Sequence, residues 1–136
     1  MSRYLLDTNH LGESVLAVSV VRDRMQQMHR LGVVFGTCVP VLSELWVGLH
    51  HRSDQQRCRQ RLEYVLQVVR IWPIEPSISE LYSDLYHQLR RVGKALSQFD
   101  ILIASIAIQL DSTLLTSDRD FEALPQLPQQ NWLQKP

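Results

Sequence analysis

The sequence predicts an α/β protein, a three-layer α/β/α sandwich whose central, mostly parallel sheet has four to five short strands. Three observations predict it. Apolar runs of three or four residues (Tyr4–Leu6, Val33–Phe35, Arg70–Trp72 and Thr113–Thr116) are too brief for helices, and each ends at a polar residue, a proline or a glycine close by. Between them lie longer stretches with helical periodicity, the crossovers that parallel strands require. The 136 residues are 45% hydrophobic and 21% charged, a globular balance in a chain of single-domain length. The expectation is one domain spanning residues 1–136.

Tyr4-Leu5-Leu6 reads as a buried strand that halts at Asp7-Thr8-Asn9, a cluster suited to capping a helix. Val18, Val21, Met25 and Met28 then recur at helical spacing up to Leu31, and Gly32 supplies a stop. After the Val33–Phe35 strand, Pro40 opens a helix with Leu42, Leu45, Trp46 and Leu49 as its apolar stripe. Another helix is expected from about Asp54 to Val69, then a strand at Arg70–Trp72 ended by Pro73. Ser77 and Glu80 form a capping-box pattern before Ile78, Leu81, Tyr82, Leu85, Leu89 and Val92, the clearest amphipathic helix here, closed by Gly93. Ile101 to Leu110 is apolar on nearly every side, as a helix buried between other elements would be. Thr113–Thr116 gives the fourth strand, Asp118–Leu124 a short helix, and Asn131–Leu133 a final edge strand.

Composition narrows the function classes. Formal net charge is zero, so bulk positive charge does not hold a nucleic acid, although a local basic patch remains open. Cys38 and Cys58 show no paired spacing and read as reduced thiols in a cytoplasmic protein. Asp7 interrupts the first apolar run, and Val15–Val21 is too short to span a bilayer, so no membrane role is expected.

Four acidic residues stand out against this background. Asp7 and Asp118 directly follow predicted strands, where parallel sheets bind ligands. Asp7 fits an N-cap as well as a ligand. Glu44 has Val41, Val47 and Gly48 as helical neighbours, so its helix reads as apolar all round, and a lone glutamate there either needs a partner or reaches solvent past Gly48. Asp100 follows Ser97 by three residues, a capping pattern that is compatible with ligation. Of the pair around Arg119, Asp118 is the better ligand candidate, while Asp120 would cap the short helix or pair with Arg119. Thr8 and Thr116 could orient a water or a carboxylate. Carboxylates that converge repel one another unless a cation intervenes. With no matching His or Cys cluster, hard oxygen donors favour Mg2+ or Mn2+ over zinc.

Leu6-Asp7-Thr8-Asn9, Ser43-Glu44-Leu45 with Gly48, Phe99–Ala104, and Thr116–Phe121 together resemble, in order, the four motifs of the PIN-domain family. Within it they are similar to the VapC-like toxin ribonucleases of bacterial toxin–antitoxin pairs. The resemblance spans essentially the whole chain and departs at Ser117, where the family pattern often has Asn. It implies that Asp7, Glu44, Asp100 and Asp118 bind magnesium or manganese, with Thr116 as the accompanying hydroxyl. It further implies hydrolysis of RNA phosphodiester bonds, a homodimer and a cognate antitoxin protein. His10 and Glu13 receive no role and are expected on the helix surface.

The first candidates for phosphate contacts are Arg90, Arg91 and Lys94, shortly before Asp100, whereas Arg52, Arg57, Arg59 and Arg61 read as a solvated helix face. Met25 and Met28 fit core packing, or a groove for a partner helix. Rival readings are an RNA-processing nuclease without toxicity and a catalytically silent RNA- or protein-binding module. An aspartyl-phosphate phosphatase fits poorly, because Asn9 stands where that chemistry wants a second acid.

Overall fold

The computed structural model describes residues 2–133. Its elements are β1 (Arg3–Leu6), α1 (Thr8–Ser14), α2 (Val20–Arg30), β2 (Val34–Thr37), α3 (Val39–Leu49), α4 (Gln55–Val65), β3 (Val69–Ile71), α5 (Ile78–Arg91), α6 (Gln98–Gln109), β4 (Thr113–Leu115), a 3-10 helix (Arg119–Ala123) and β5 (Gln129–Gln130). All four strand pairs are parallel, in the order β3-β2-β1-β4-β5.

That order follows from chain length and handedness. Two right-handed crossovers, α1–α2 and α3–α4, carry the chain outward from β1 to β3. The α5–α6 crossover returns it to the other side of β1, so its helices cover the opposite face. The observed packing agrees, since α1 contacts α2, α3 and α4, and α5 packs on α6. The sheet is therefore sandwiched, and strand residues are apolar on both sides. Leu5 and Leu6 are both fully buried, as are Leu114 and Leu115 opposite them. The reversal of winding falls between β1 and β4. Beyond the carboxyl ends of these two strands lies the topological switch point, where such sheets open a crevice.

Local chemistry explains where elements start and stop. Ser19 caps α2 by accepting from the Arg22 N–H, and Gly32 ends it at φ +90°, a value L side chains resist. Val18, expected on the stripe of that helix, instead lies in the preceding loop and is 84% exposed. Ser19 has taken the N-cap one residue later. Ser77, unlike Ser19, makes no capping bond. It sits in helical backbone, and its hydroxyl accepts from the Gln109 amide at 2.6 Å, so the Ser77–Glu80 capping box does not form. The helix expected to reach Val69 stops at Val65, because Val69 pairs with Phe35 at the start of β3. The last strand is Gln129–Gln130 and not Asn131–Leu133, since Trp132 turns inward onto Tyr4 and Phe35.

β2 carries one position with little tolerance. A Cβ on Gly36 would stand 2.4 Å from the Trp72 ring. Gly36→Ala is expected to lower unfolding free energy by about 1–3 kcal/mol in urea titration. Combining it with Trp72→Leu should recover part of the loss, and a Gly36→Ala protein as stable as the parent would show that the ring shifts freely.

Candidate active site at the switch point

Asp7 emerges from the end of β1, where its backbone N–H donates to the Leu115 carbonyl of β4 at 3.0 Å. It does two jobs at once. As N-cap of α1 its Oδ1 accepts from the Thr8 N–H at 2.8 Å, and its Oδ2 accepts from the Thr116 hydroxyl at 2.9 Å. Asp7 is only 8% exposed. Burial raises its pKa above the usual carboxylate value despite those two hydrogen bonds, and the charges of Glu44 and Asp118 push the same way.

Two threonines tie the neighbouring acids to this centre. Thr8 donates its hydroxyl to Glu44 Oε2 at 2.8 Å, joining α1 to α3. Thr116, having given its proton to Asp7, accepts from the Asp118 N–H at 3.1 Å. A continuous path therefore runs from Glu44 through Thr8, Asp7 and Thr116 to Asp118. Alongside it the Asn9 amide donates to the Ser117 hydroxyl at 2.8 Å, a second strut between the ends of β1 and β4. The sequence placed Asn9 in a capping cluster and Ser117 at a departure from the family pattern, but gave no sign that the two bond each other.

Asp100 approaches from α6. Ser97 caps that helix by accepting from the Asp100 N–H at 3.1 Å, as the spacing predicts. The Asp100 pKa is raised, first by burial and then by the charges of Asp7, Asp118 and Glu44. Four carboxylates distant in sequence thus share one field, and no lysine or arginine enters among the causes of either shift.

Two expectations need correction. Glu44 is exposed, not enclosed, because α3 buries only the Val41, Leu45 and Leu49 edge and leaves Val47 73% exposed. It needs no buried partner, and Thr8 holds it at the crevice rim. Asp118, not Asp120, caps the 3-10 helix, accepting from the Asp120 N–H at 2.9 Å. Arg119 pairs with Glu122 at 3.5 Å on the surface and not with Asp120.

His10 is also not where sequence put it. It is fully buried, one turn along α1, and its Nε2 accepts from the Trp132 backbone N–H at 3.0 Å. The neutral ring then carries its proton on Nδ1, which has no partner among the described residues. Burial drives its pKa down to about 4. A ring committed in this way does not serve as a base for the acids.

The donor set suits a hard divalent cation in chemistry: carboxylates, hydroxyls and unrelieved negative charge. It is not preassembled. Among the described residues no three Asp, Glu, His or Cys side chains stand around one point at ligand spacing. Glu44 accepts from Thr8, and Asp118 caps the 3-10 helix.

Of the basic candidates, Arg90 is occupied with Tyr86, donating to its hydroxyl at 3.0 Å and lying over its ring. Arg91 and Lys94 are exposed. Lys94 lines a cleft of about 310 Å3 together with Arg119 and Asp120, next to Asp118. The Arg52–Arg61 stretch is more engaged than a solvated face. Arg52 pairs with Asp54 at 2.7 Å, Arg59 covers the Trp46 ring, and Arg61 donates to the Val15 carbonyl.

A family model described as PIN domain matches residues 4–127, which include every acid of this site. The chain belongs to the PIN domain family. Among proteins similar to this PIN domain, Ribonuclease VapC2 of Rickettsia felis is 29% identical over 93 residues, covering 68% of this chain and 69% of its own. Ribonuclease VapC4 of Mycobacterium tuberculosis is 26% identical over 117 residues, covering 85% and 90%. The fold matches the crystal structure of VapBC2 from Rickettsia felis bound to a DNA fragment from its promoter. The TM-score is 0.83 at 24% identity, over 96% of this PIN domain and 98% of that chain. No helix among the described residues is long and apolar enough to cross a membrane.

Proposed function

We propose that this PIN domain is a metal-dependent endoribonuclease that hydrolyses RNA phosphodiester bonds, and that it is the toxin of a toxin–antitoxin pair. The observation that carries the reading is the convergence of Asp7, Asp100, Glu44 and Asp118 on the β1–β4 switch point, where burial first and the charges of the neighbouring acids second raise the pKa of Asp7 and Asp100. The names of its relatives favour RNA as substrate and an antitoxin as partner. Residues 1–136 would act as one cytoplasmic domain, paired as a homodimer.

Asp7, Glu44, Asp100 and Asp118 would hold Mg2+ or Mn2+, which when bound supplies a Lewis acid that acidifies water and screens phosphate charge. Asp7 is the pivot of the set. Its Thr8 and Thr116 hydrogen bonds fix both oxygens of the carboxylate before any ligand arrives. Proton uptake by Asp7 or Asp100 would compete with the metal, so activity is expected to fall on acidification.

The decisive experiment is incubation of the purified protein with structured RNAs and Mg2+ or Mn2+. Cleavage abolished by a chelator and restored by either ion is expected, and RNA left intact under every condition would reject the nuclease reading. Expression without the partner should arrest growth. Continued growth with cleavage intact would instead assign RNA processing.

RNA must be gripped without net positive charge. Arg91→Glu and Lys94→Glu are each expected to weaken RNA binding and to lower the slope of log affinity against log salt by about one. An unchanged slope in both variants removes these residues from the interface.

A further inference from the structure

A cleft of about 390 Å3 opens beside Asp118, between the end of β4 and the segment leaving β5. Besides Thr116 and Asp118, its walls carry Ser117, Arg119, Glu122 and three successive amides, Gln129, Gln130 and Asn131.

The amides are oriented by bonds at one end. Gln130 Oε1 accepts from the Trp132 indole N–H at 3.0 Å, and Asn131 Oδ1 accepts from the Leu133 N–H at 2.8 Å. An indole and a backbone N–H can only donate, so the other end of each amide is the NH2 group. Neither NH2 has a partner among the described residues. Gln129 is turned the other way. Its Nε2 donates to the Phe121 and Leu127 carbonyls, leaving Oε1 as an acceptor. The anchors are firm, because Trp132 is buried against Tyr4 and Phe35, lies under the Arg24 guanidinium and donates its backbone N–H to His10.

The cleft wall therefore offers donors from Gln130, Asn131 and Arg119 and acceptors from Gln129 and Glu122. A phosphate only accepts, and would meet the acceptors unfavourably. The edge of a nucleobase both donates and accepts, and single-stranded RNA is read on such edges. We propose that this cleft is a nucleobase subsite that reads the base next to the cleaved phosphodiester, with the Gln130 and Asn131 amides as its specificity determinants. The proposal rests on the ribonuclease reading above.

The test uses binding and needs no turnover. In an Asp7→Asn background that leaves RNA intact, labelled RNA hexamers differing at single positions are titrated by fluorescence anisotropy. At one position, exchanging the base is expected to change Kd about fivefold or more. Gln130→Glu and Asn131→Asp keep the oxygen that Trp132 and Leu133 need and replace only the NH2 group. They should collapse or invert that ratio while leaving thermal unfolding unchanged. Affinity indifferent to every base, or variants that weaken all hexamers equally, would overturn the subsite, the latter outcome marking a simple charge effect. Cleavage by the unsubstituted protein is read separately. Base-selective binding without cleavage would strike down the nuclease reading and with it the place beside a cleaved bond, leaving only a base-reading cleft.

Discussion

Asp7→Asn is expected to reduce metal-dependent RNA cleavage by at least about a hundredfold while leaving the metal-free protein as stable as its parent or more so. The activity loss follows from removing the pivot charge of the proposed ion site. The stability gain follows from the direction of the Asp7 pKa. A carboxyl group raised in the folded state contributes stability below its unfolded pKa and loses it as pH rises through the folded pKa, so at neutral pH ionised Asp7 weakens the fold. Asn retains an oxygen to cap Thr8 and carries no charge. Asp100→Asn should behave the same way, since its pKa is raised by burial and by the charges of Asp7, Asp118 and Glu44. Urea unfolding in a chelator, with and without added Mn2+, reads both effects. Added ion should stabilise the parent and do little for the variant. A variant that cleaves RNA at the parental rate refutes the assignment, and one clearly destabilised without metal reduces Asp7 to a structural cap.

Acidification is expected to loosen the C-terminal segment through His10. Its pKa falls from 6.5 when unfolded to about 4 when folded, because burial disfavours the charged ring and Nε2 must stay bare to accept from Trp132. The unfolded chain binds the extra proton between those limits, so the contribution is complete above pH 6.5 and is lost as pH falls towards 4. The displacement corresponds to roughly 3 kcal/mol. Asp7 and Asp100 titrate in the opposite sense nearby, so the comparison must be differential. His10→Gln keeps an acceptor for Trp132 but has no proton to gain. The parent should lose stability relative to His10→Gln by about that amount between pH 7.5 and 4, with Trp132 fluorescence following the change. Parallel stability curves would show that the ring is not the acid-labile element.

Part of this molecule was readable in its sequence. No acid stood out alone, since Asp7 and Asp100 each fit a helix cap, but the order of the four was legible, and Asp7 and Asp118 do sit just past strand ends. The Ser97–Asp100 cap was likewise legible, since capping bonds span only three residues. Where several local signals competed, neighbours distant in sequence chose between them. Ser77 looked like a cap, but Gln109, 32 residues away, claimed its hydroxyl. Val69 continued a helical stripe, but pairing with Phe35 was available once the sheet formed.

The sequence by itself determined the layer architecture, because periodicity, strand length and capping are short-range chemistry, and it named the candidate acids through the likeness of its motifs to the PIN family. Only the tertiary structure decided that Glu44 lies at an open rim, that Thr8 and Thr116 link the acids into one path, and that His10 is buried beneath Trp132. Those outcomes depend on contacts that bridge 36, 109 and 122 residues, and neither desolvation nor a long-range hydrogen bond leaves a mark in local sequence.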